Sequence, residues 1–475
     1  MLFLGELNRA PRVHFSGIGG TAMVAGARLA IEAGWEVRGS DNPLYPPTSE
    51  MVAALGVPVA SGYSEANLDW EPDVVVLGNV LSRGNPEVEA ALERTLHYVS
   101  LPEWMKDAVL RQRRSIVISG THGKTTTTAL TSYLFDRVGL EPGFLIGGQP
   151  LDFDHSARLG AEGKPFIIEG DEYDTAFFDK RAKFFHYVPE CAVVTSVEFD
   201  HGDIYHDLDE IHLAFQRMLR QIPRHGLLVL CADQEGALSL KDYAPCPVTT
   251  YGFADNAEWR GVIREERTAG GLIGFDVLRA GRVWAELDVP LAGRHNLQNT
   301  LAAVAVAAHF GANGRAIERV MPWFKGVRRR MEVFHRFNGI TFVDDFAHHP
   351  TAIRETIAAA GMRWPGQRLS VVFEPRSNTT VTRRFQSELT DAFANADSVW
   401  LGPIHRANSI PEDERLDRNE LVCELAARGV NAAYRDDVDT IVDDLFVHAE
   451  FGDIVLVLSN GAFGGIYSKI RDAFS

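Results

Sequence analysis

A glycine-rich segment followed by lysine and threonine is the strongest chemical signal in the chain. It shortens the phosphate-binding pattern G-x-x-x-x-G-K-[ST] to GxxGKT, since Ile118 stands where that pattern has its first glycine. Its residues are Gly120, Thr121, His122, Gly123, Lys124, Thr125 and Thr126. Between a strand and a helix, such a turn directs backbone N–H groups and the positive helix end at phosphate. The segment predicts an ATP site in which Lys124 reaches the β- and γ-phosphates and Thr125 holds Mg²⁺.

Two polar segments, each following a predicted strand, could complete a metal site beside this loop. Glu169 begins an acidic run after the strand 166–168, and His201 follows the strand 192–197 after a short loop. Residues that follow neighbouring parallel strands converge on one edge of the sheet, where ligands bind. Mg²⁺ prefers oxygen ligands, so His201 is a candidate only because of its place at that edge. The predicted metal ligands are therefore Thr125, Glu169 and His201.

A second glycine-rich segment lies near the N-terminus and opens another predicted helix. It matches G-x-G-x-x-A, and Asp41 lies 24 residues after its first glycine. Its residues are Gly17, Ile18, Gly19, Gly20, Thr21 and Ala22. Alone, the pattern predicts an NAD site, so an NAD-dependent oxidoreductase with an added NTPase domain is a competing hypothesis. It states only that a diphosphate sits at a helix N-terminus, and a UDP-sugar carries one too. A tight turn without a ligand is the third interpretation.

The elements that must position these residues alternate between strand and helix, and the alternation starts three times. The second series starts with the strand 115–118 after the polar junction 111–114, and the third starts after Gly326. Alternation of this kind implies parallel sheets with helices on their faces. Between 270 and 291, short alternating runs with glycine and arginine turns favour antiparallel hairpins.

We therefore expect an α/β fold with three domains in series. Residues 1–110 are predicted to form a Rossmann-like domain, and residues 111–325 a P-loop ATPase domain with a parallel sheet and a small antiparallel sheet. Residues 326–475 are predicted to form a Rossmann-like C-terminal α/β domain. The number of domains agrees with a chain of 475 residues, since one domain takes ~150 residues.

The composition is that of an ordinary globular protein with an acidic surface. The chain carries a formal net charge of -17, and 45% of its residues are apolar. Such a charge opposes non-specific binding of nucleic acid, which needs a basic surface. We find no signal-peptide pattern, and no apolar run approaches the ~20 residues of a membrane span. With four scattered cysteines and no CxxC pair, we expect a cytoplasmic protein that binds neither nucleic acid nor membrane.

Six motifs in order along the chain resemble those of the Mur ligases, which build the peptide of bacterial cell-wall precursors. The matching segments are HFSGIGG at 14–20, GTHGKTT at 120–126, EGDEYD at 169–174, DH at 200–201, GRHN at 293–296 with Asn299, and RR at 329–330 with DDFAHHP at 344–350. The resemblance covers essentially the whole chain. It implies an ATP-dependent ligase that phosphorylates the lactyl carboxylate of UDP-N-acetylmuramate and then joins the acyl group to an amine.

The resemblance also implies roles for residues that the patterns alone leave open. Beyond the phosphate loop, ATP would contact His295, Asn296, Asn299, Arg330 and Asp345. Beyond the N-terminal glycine loop, the UDP-sugar would contact Asp41, Asn79 and Arg83. Lys124 and Mg²⁺ would neutralise the phosphates, and His348 or His349 would lie near the transferred phosphoryl group.

The identity of the amine donor rests on three segments in which Mur ligases differ. Residues 374–379 read EPRSNT where alanine-adding members have P-H-R-Y-T-R. Together with 78–86 and 178–181, they are similar to members that join UDP-N-acetylmuramate to the recycled tripeptide L-alanyl-γ-D-glutamyl-meso-diaminopimelate. We expect this reaction, in peptidoglycan recycling, with ligation of L-alanine as the alternative. Since guanidinium groups pair bidentately with carboxylates, the candidate peptide-binding residues are Arg376, Ser377 and Asn378.

The chain departs from the usual Mur ligase sequence at two places. Ser196 stands where the family usually has asparagine, and the absence of lysine from 202 to 240 argues against the carbamoylated lysine that several members use.

ATP would lie between the second and third domains, and the UDP-sugar between the first and second. We expect a hinge near Gly326 and a monomer or weak homodimer.

Overall fold

Three large β-sheets follow one another along the chain, each flanked by helices. The computed structural model describes residues 9–45, 48–200, 204–265 and 271–475. The predicted domain ranges 1–110, 111–325 and 326–475 each enclose one of these sheets. No helix in the described ranges is both long and apolar enough to cross a membrane.

The first sheet is parallel, and its strand order is β3-β2-β1-β4-β5. Its strands are β1 (Arg12–Ser16), β2 (Glu36–Asp41), β3 (Val59–Ser61), β4 (Val74–Leu77) and β5 (Tyr98–Ser100). The helices are α1 (Thr21–Glu32), α2 (Thr48–Ala53), α3 (Pro86–Glu93) and α4 (Leu101–Ala108). The order reverses between β1 and β4, which is where open parallel sheets bind ligands. The N-terminal glycine loop follows β1 at this point.

The central sheet has ten strands, in the order β17-β16-β15-β14-β13-β12-β6-β9-β7-β8. These strands are β6 (Arg114–Ser119), β7 (Gly143–Leu145), β8 (Ala157–Arg158), β9 (Pro165–Gly170), β12 (Cys191–Val194), β13 (Leu227–Cys231), β14 (Val248–Gly252), β15 (Trp259–Glu265), β16 (Ile273–Arg279) and β17 (Arg282–Val289). Two further strands, β10 (Asp174–Ala176) and β11 (Asp179–Ala182), form a separate antiparallel pair. The helices are α5 (Lys124–Arg137), α6 (Leu208–Leu219), α7 (Glu235–Leu238), α8 (Arg294–His309) and α9 (Gly314–Val320). Because β9, β6 and β12 are parallel neighbours, the segments that follow them meet at one edge.

The third sheet has six strands in the order β18-β19-β23-β20-β21-β22, and all but β18 are parallel. They are β18 (Glu332–Phe337), β19 (Ile340–Asp345), β20 (Leu369–Phe373), β21 (Ser398–Leu401), β22 (Asn431–Tyr434) and β23 (Ile454–Leu458). The helices are α10 (Pro350–Arg363), α11 (Gln386–Phe393), α12 (Arg418–Ala427), α13 (Val438–His448) and α14 (Ile466–Ala473). Two apolar clusters pack on this sheet, as expected for parallel strands buried on both faces.

The predicted α/β class is confirmed, and the antiparallel hairpin of β16 and β17 lies where the alternating runs predicted it. One strand was predicted with the wrong C-terminal end. The strand predicted over 192–197 stops at Val194, because from Ser196 onward the chain bonds to the phosphate loop instead of to a neighbouring strand. The Thr121 N–H donates to the Ser196 carbonyl at 3.0 Å, and the His122 N–H donates to Ser196 Oγ at 3.0 Å.

Candidate active site

The phosphate loop joins the end of β6 to the start of α5. Gly123 has φ +81°, and a Cβ on it would lie 2.5 Å from the side-chain oxygen of Asn299 on α8. Gly120 has φ +129°, and a Cβ on it would overlap Thr195 and Ser196. The loop therefore needs glycine at both positions, because it passes directly against α8 and against the segment that follows β12.

Lys124, the first residue of α5, is the positive centre of the loop. Its Nζ donates to the two carboxylate oxygens of Glu172, at 2.8 and 3.1 Å, and to the carbonyl oxygen of Gly120 at 2.7 Å. Burial would lower the pKa of Lys124, but the carboxylates of Glu172 and Asp171 outweigh burial and raise it. The ammonium group is therefore charged at neutral pH and can neutralise phosphate oxygens.

Thr125 and Glu169 place a hydroxyl oxygen and a carboxylate oxygen side by side, and both atoms could bind a metal ion. Thr125 Oγ1 donates to Glu169 Oε2 at 3.2 Å, and the other oxygen of Glu169 accepts from the Gly147 N–H at 2.7 Å. Burial raises the pKa of Glu169, so a cation nearby would stabilise its charged form. A hydroxyl and a carboxylate suit Mg²⁺, and these two predicted ligands fit that ion. The third predicted ligand, His201, lies outside the described residues.

Glu198 links the phosphate loop to the third sheet, and no sequence pattern singled it out. Its Oε2 accepts from Thr351 Oγ1 at 2.8 Å and lies 3.4 Å from His122 Nε2. Burial would raise the pKa of Glu198, but hydrogen bonds from His122 and Thr351 lower it to about 2. The side chain is therefore a carboxylate that joins the two units. The sequence feature that could have identified Glu198 is its position three residues before the predicted metal ligand His201.

The adjacent histidines His348 and His349 both line the cavity that reaches the N-terminal glycine loop. His349 caps α10, since its Nδ1 accepts from the Thr351 N–H at 3.3 Å, and its ring lies 4.8 Å from that of His122. Its buried Nε2 has no hydrogen-bond partner in the described part of the chain. Burial lowers the pKa of both histidines, that of His349 to about 4. Both imidazoles are therefore neutral at pH 7.

Arg330 and Asp345 bring the third sheet to the same place. The carboxylate of Asp345 accepts from the N–H groups of Met331 and Ala347, at 2.8 and 2.9 Å. Burial raises the pKa of Asp345, and the nearby Arg330 opposes that effect. The side chain is thus fixed at the end of β19, with its charge favoured by a cation.

A cavity of about 590 Å³ lies between the phosphate loop, α8 and the third sheet. Most of the predicted ATP-binding residues line it, namely His122, Gly123, Thr125, Thr126, His295, Asn296, Asn299, Arg330 and Asp345. Thr121 and Lys124 instead line a neighbouring cavity, and Gly120 lines neither. We call the first of these the nucleotide cavity.

The neighbouring cavity, of about 560 Å³, lies where the first, central and third units meet, and we call it the sugar cavity. The predicted residues that line it are Gly17, Gly20, Asp41, Asn79, Thr121, His122, Gly123, Lys124, Thr125, Glu169, Arg330, His348 and His349. Ile18 is buried beneath the loop, and the Gly19 N–H donates to Asp41 at 2.7 Å. Arg83 does not line the cavity, because it forms an exposed ion pair with Glu89 at 2.9 Å.

The nucleotide and sugar cavities meet. Both are lined by His122, Gly123, Thr125 and Arg330. A nucleotide in one cavity and an anionic ligand in the other would therefore approach each other at the phosphate loop.

A third cavity, of about 760 Å³, lies between Phe199 and the loops that follow β20 and β21. It is called the basic cavity here. Arg376 and Asn378 line it, whereas Ser377 forms a turn in which its carbonyl accepts from the Thr380 N–H at 2.9 Å. Thr379 Oγ1 donates to Asp200 at 2.7 Å, so this cavity adjoins a residue that lines the sugar cavity.

Comparison with known proteins places all three units in one family. Residues 12–113 match the description "Mur ligase family, catalytic domain", residues 118–307 the "Mur ligase middle domain", and residues 329–461 the "Mur ligase, glutamate ligase domain". The chain is 39% identical over 469 residues to the UDP-N-acetylmuramate--L-alanyl-gamma-D-glutamyl-meso-2,6-diaminoheptandioate ligase of Escherichia coli K12, covering 98% of each. It is 33% identical over 471 residues to a UDP-N-acetylmuramate--L-alanine ligase of Variovorax paradoxus, covering 96% and 94%.

Solved structures agree. A murein peptide ligase from Psychrobacter arcticus is 34% identical, with a TM-score of 0.71 over 97% of this chain and 98% of that one. The corresponding ligase from Neisseria meningitides is 41% identical, with a TM-score of 0.63 over 67% of this chain and 100% of that one. The order of the three matched regions and the near-complete coverage leave one assignment: the chain is an ATP-dependent peptide ligase of the Mur ligase family.

Proposed function

We propose that this enzyme joins UDP-N-acetylmuramate to L-alanyl-γ-D-glutamyl-meso-diaminopimelate, with conversion of ATP to ADP and phosphate, in peptidoglycan recycling. The observation that carries the proposal is the meeting of the nucleotide and sugar cavities at Thr125 and Arg330, with the basic cavity beside them. The 39% identity to the E. coli tripeptide ligase supports this choice of donor. We assign the UDP-sugar to residues 1–110, ATP to 111–325, and the closing and peptide-binding role to 326–475.

The chain's own groups explain how a carboxylate would be activated. A carboxylate is a poor electrophile, and transfer of the γ-phosphoryl group to it creates a good leaving group. Lys124 is charged and lines the sugar cavity, so it neutralises the oxygens that gain charge during the transfer. When bound, Mg²⁺ held by Thr125, Glu169 and His201 adds positive charge beside the phosphates.

The neutral histidines and the guanidinium of Arg330 complete this environment. The Nε2 of His349 has no hydrogen-bond partner among the described residues and can donate to the phosphoryl group, and Glu198 holds His122 beside it. The acyl phosphate then meets the amine of the peptide, and phosphate leaves. The protein's contribution is chiefly positioning and charge stabilisation.

Ligation of L-alanine is the second candidate, since relatives with that activity are 33% identical over nearly the whole chain. The basic cavity of about 760 Å³ favours the peptide, because sites of this size hold ligands much larger than one amino acid. A cytoplasmic location and a monomer or weak homodimer stay predictions.

The reaction is tested by supplying ATP, Mg²⁺ and UDP-N-acetylmuramate with either the tripeptide or L-alanine, and measuring ADP and the ligated product. We expect turnover with the tripeptide and loss of turnover when EDTA removes Mg²⁺. Turnover with alanine alone would refute the donor assignment, and binding of NAD without ADP release from either mixture would refute the ligase.

A further inference from the structure

The basic cavity is lined by two arginines that form no ion pair with a carboxylate of the described residues. Four arginines line it, and Arg383 among them pairs with Asp417 at 2.7 Å and Glu420 at 3.4 Å. By contrast, Arg384 and Arg406 form no ion pair within the described ranges, although both side chains face the cavity. Unpaired guanidinium groups on a cavity wall are the groups that bind carboxylate ligands bidentately.

The loops that carry these arginines are fixed by backbone hydrogen bonds. The Arg383 N–H donates to the Glu414 carbonyl at 2.8 Å, and the Leu416 N–H donates to the Val381 carbonyl at 3.0 Å. These bonds tie the loop after β20 to the loop after β21. The guanidinium of Arg384 lies 3.8 Å from the ring centre of Phe199, which holds it against the central unit.

Arg406 is held beside Arg376. The His405 N–H donates to the Pro375 carbonyl at 2.9 Å, and the Arg406 carbonyl accepts from the Ser409 N–H at 2.9 Å. The Nδ1 atom of His405 lies 3.3 Å from Arg376 Nη1. Slight burial and then the charges of Arg376 and Arg406 lower the pKa of His405, which indicates a positive potential at this end of the cavity.

The cavity also has an acidic wall. Asp413 and Glu414 line it on the loop after β21. A ligand that matches this pattern carries several carboxylates and, at a distance from them, an ammonium group. A single amino acid has one carboxylate, and its amine is consumed in the reaction.

We propose that Arg384 and Arg406 bind carboxylates of the amine donor beyond its reacting end, an inference that rests on the proposed function. The two arginines thereby select a peptide with several carboxylates over a single amino acid. Asp413 and Glu414 receive the second ammonium group of such a peptide.

The test compares Arg384→Gln and Arg406→Gln with the unmodified enzyme. Each variant is expected to raise the KM for the tripeptide by about 10- to 100-fold, as for the loss of one charge-assisted hydrogen bond. The KM for ATP and for UDP-N-acetylmuramate stays unchanged. Arg406→Gln is the cleaner variant, because Arg384 also stacks on Phe199. Arg428→Gln, which removes an exposed arginine that lines none of the three cavities, is the matched control.

A second, shorter amine donor shows which arginine binds the carboxylates of the diaminopimelate. With L-alanyl-D-glutamate, which lacks the diaminopimelate, the ratio of variant KM to wild-type KM is expected to fall toward one for the arginine that binds the missing carboxylates. An unchanged tripeptide KM in both variants, with the wild type active, would overturn this inference alone. A wild type that neither binds nor ligates the tripeptide would overturn the proposed function as well.

Discussion

The ion pair of Lys124 with Glu172 shows how much of this site is decided by single residues. The lysine side chain is 15% exposed and the glutamate 3%, so the pair lies largely out of water. ATP phosphates would compete with Glu172 for the same ammonium group. The carboxylate thus keeps the lysine charged and in place until a nucleotide arrives.

Replacing Lys124 with methionine therefore has two separable effects. We expect kcat to fall about 100- to 1,000-fold, because the charge on the transferred phosphoryl group loses its stabilisation. We also expect the free energy of unfolding to fall by about 3 kcal/mol, because Glu172 loses its ion-pair partner Lys124. The double variant Lys124→Met, Glu172→Gln should recover stability in urea unfolding while the activity stays lost. Recovery of both would contradict the role of Lys124 in phosphoryl transfer.

At the scale of elements, the close contact between α5 and α8 sets the shape of the phosphate loop. Asn299 on α8 accepts from Thr127 Oγ1 at 3.1 Å and lies against Gly123. The sequence predicted both helices and the loop, because glycine spacing and apolar runs are local signals. The contact between them could not be predicted, because it joins residues 176 positions apart along the chain.

Gly123→Ala tests this contact. The added Cβ would meet Asn299, so we expect a loss of about 2 kcal/mol in stability and a clear rise in the KM for ATP. Gly139→Ala is the matched control, because Gly139 has nearly the same φ, +83°, with no atom within 4 Å of the added Cβ. Equal effects of the two substitutions on ATP binding would show that backbone strain alone, rather than the α8 contact, explains the result.

Another element-scale link is Glu87 on α3, which holds the ends of β1 and β2. Its carboxylate accepts from Ser16 Oγ at 2.5 Å, Ser40 Oγ at 2.6 Å and Asn67 Nδ2 at 2.6 Å. Burial would raise the pKa of Glu87, but the hydrogen bonds, with that from His14 foremost, lower it to about 2. The carboxylate thereby fixes the strand end from which the N-terminal glycine loop starts.

Because the pKa of Glu87 is lower in the folded chain than its ordinary 4.5, its contribution to stability is complete above that pH. The contribution declines as pH falls toward about 2. We expect Glu87→Gln to lower the melting temperature at pH 7, and the difference from wild type to shrink by roughly half by pH 3. Thermal unfolding at several pH values measures this, and a difference that stays constant would rule out the lowered pKa.

For the whole molecule, contacts between units decide whether the cavities meet. Thr351 and Thr379 of the third unit donate to Glu198 and Asp200 of the central unit, so one loop of the central unit contacts two separate segments of the third. The sequence predicted the order of the three α/β units and most of the phosphate-loop residues that line the nucleotide cavity, because these follow from strand ends and local motifs. It did not single out Glu198, because Thr351, the partner of that carboxylate, lies 153 positions away along the chain.

These contacts also make closure testable. Gly326, at the junction of the second and third units, has φ +92°, and a Cβ on it would meet no described atom within 4 Å. Its carbonyl accepts from the Leu151 N–H at 2.9 Å. We expect ATP and UDP-N-acetylmuramate together to reduce the radius of gyration in small-angle scattering by favouring the closed arrangement. Identical profiles with and without both ligands would contradict a hinge at this junction.

The central claim is that ATP activates the carboxylate of UDP-N-acetylmuramate for attack by the tripeptide amine. The most direct test labels both lactyl carboxylate oxygens with ¹⁸O and follows the label by mass spectrometry after reaction with ATP and the tripeptide. Phosphorylation of the carboxylate predicts one ¹⁸O in the released phosphate and one in the new amide carbonyl. Product formation with both labels absent from the phosphate would contradict the account, and so would ADP release without any ligated tripeptide.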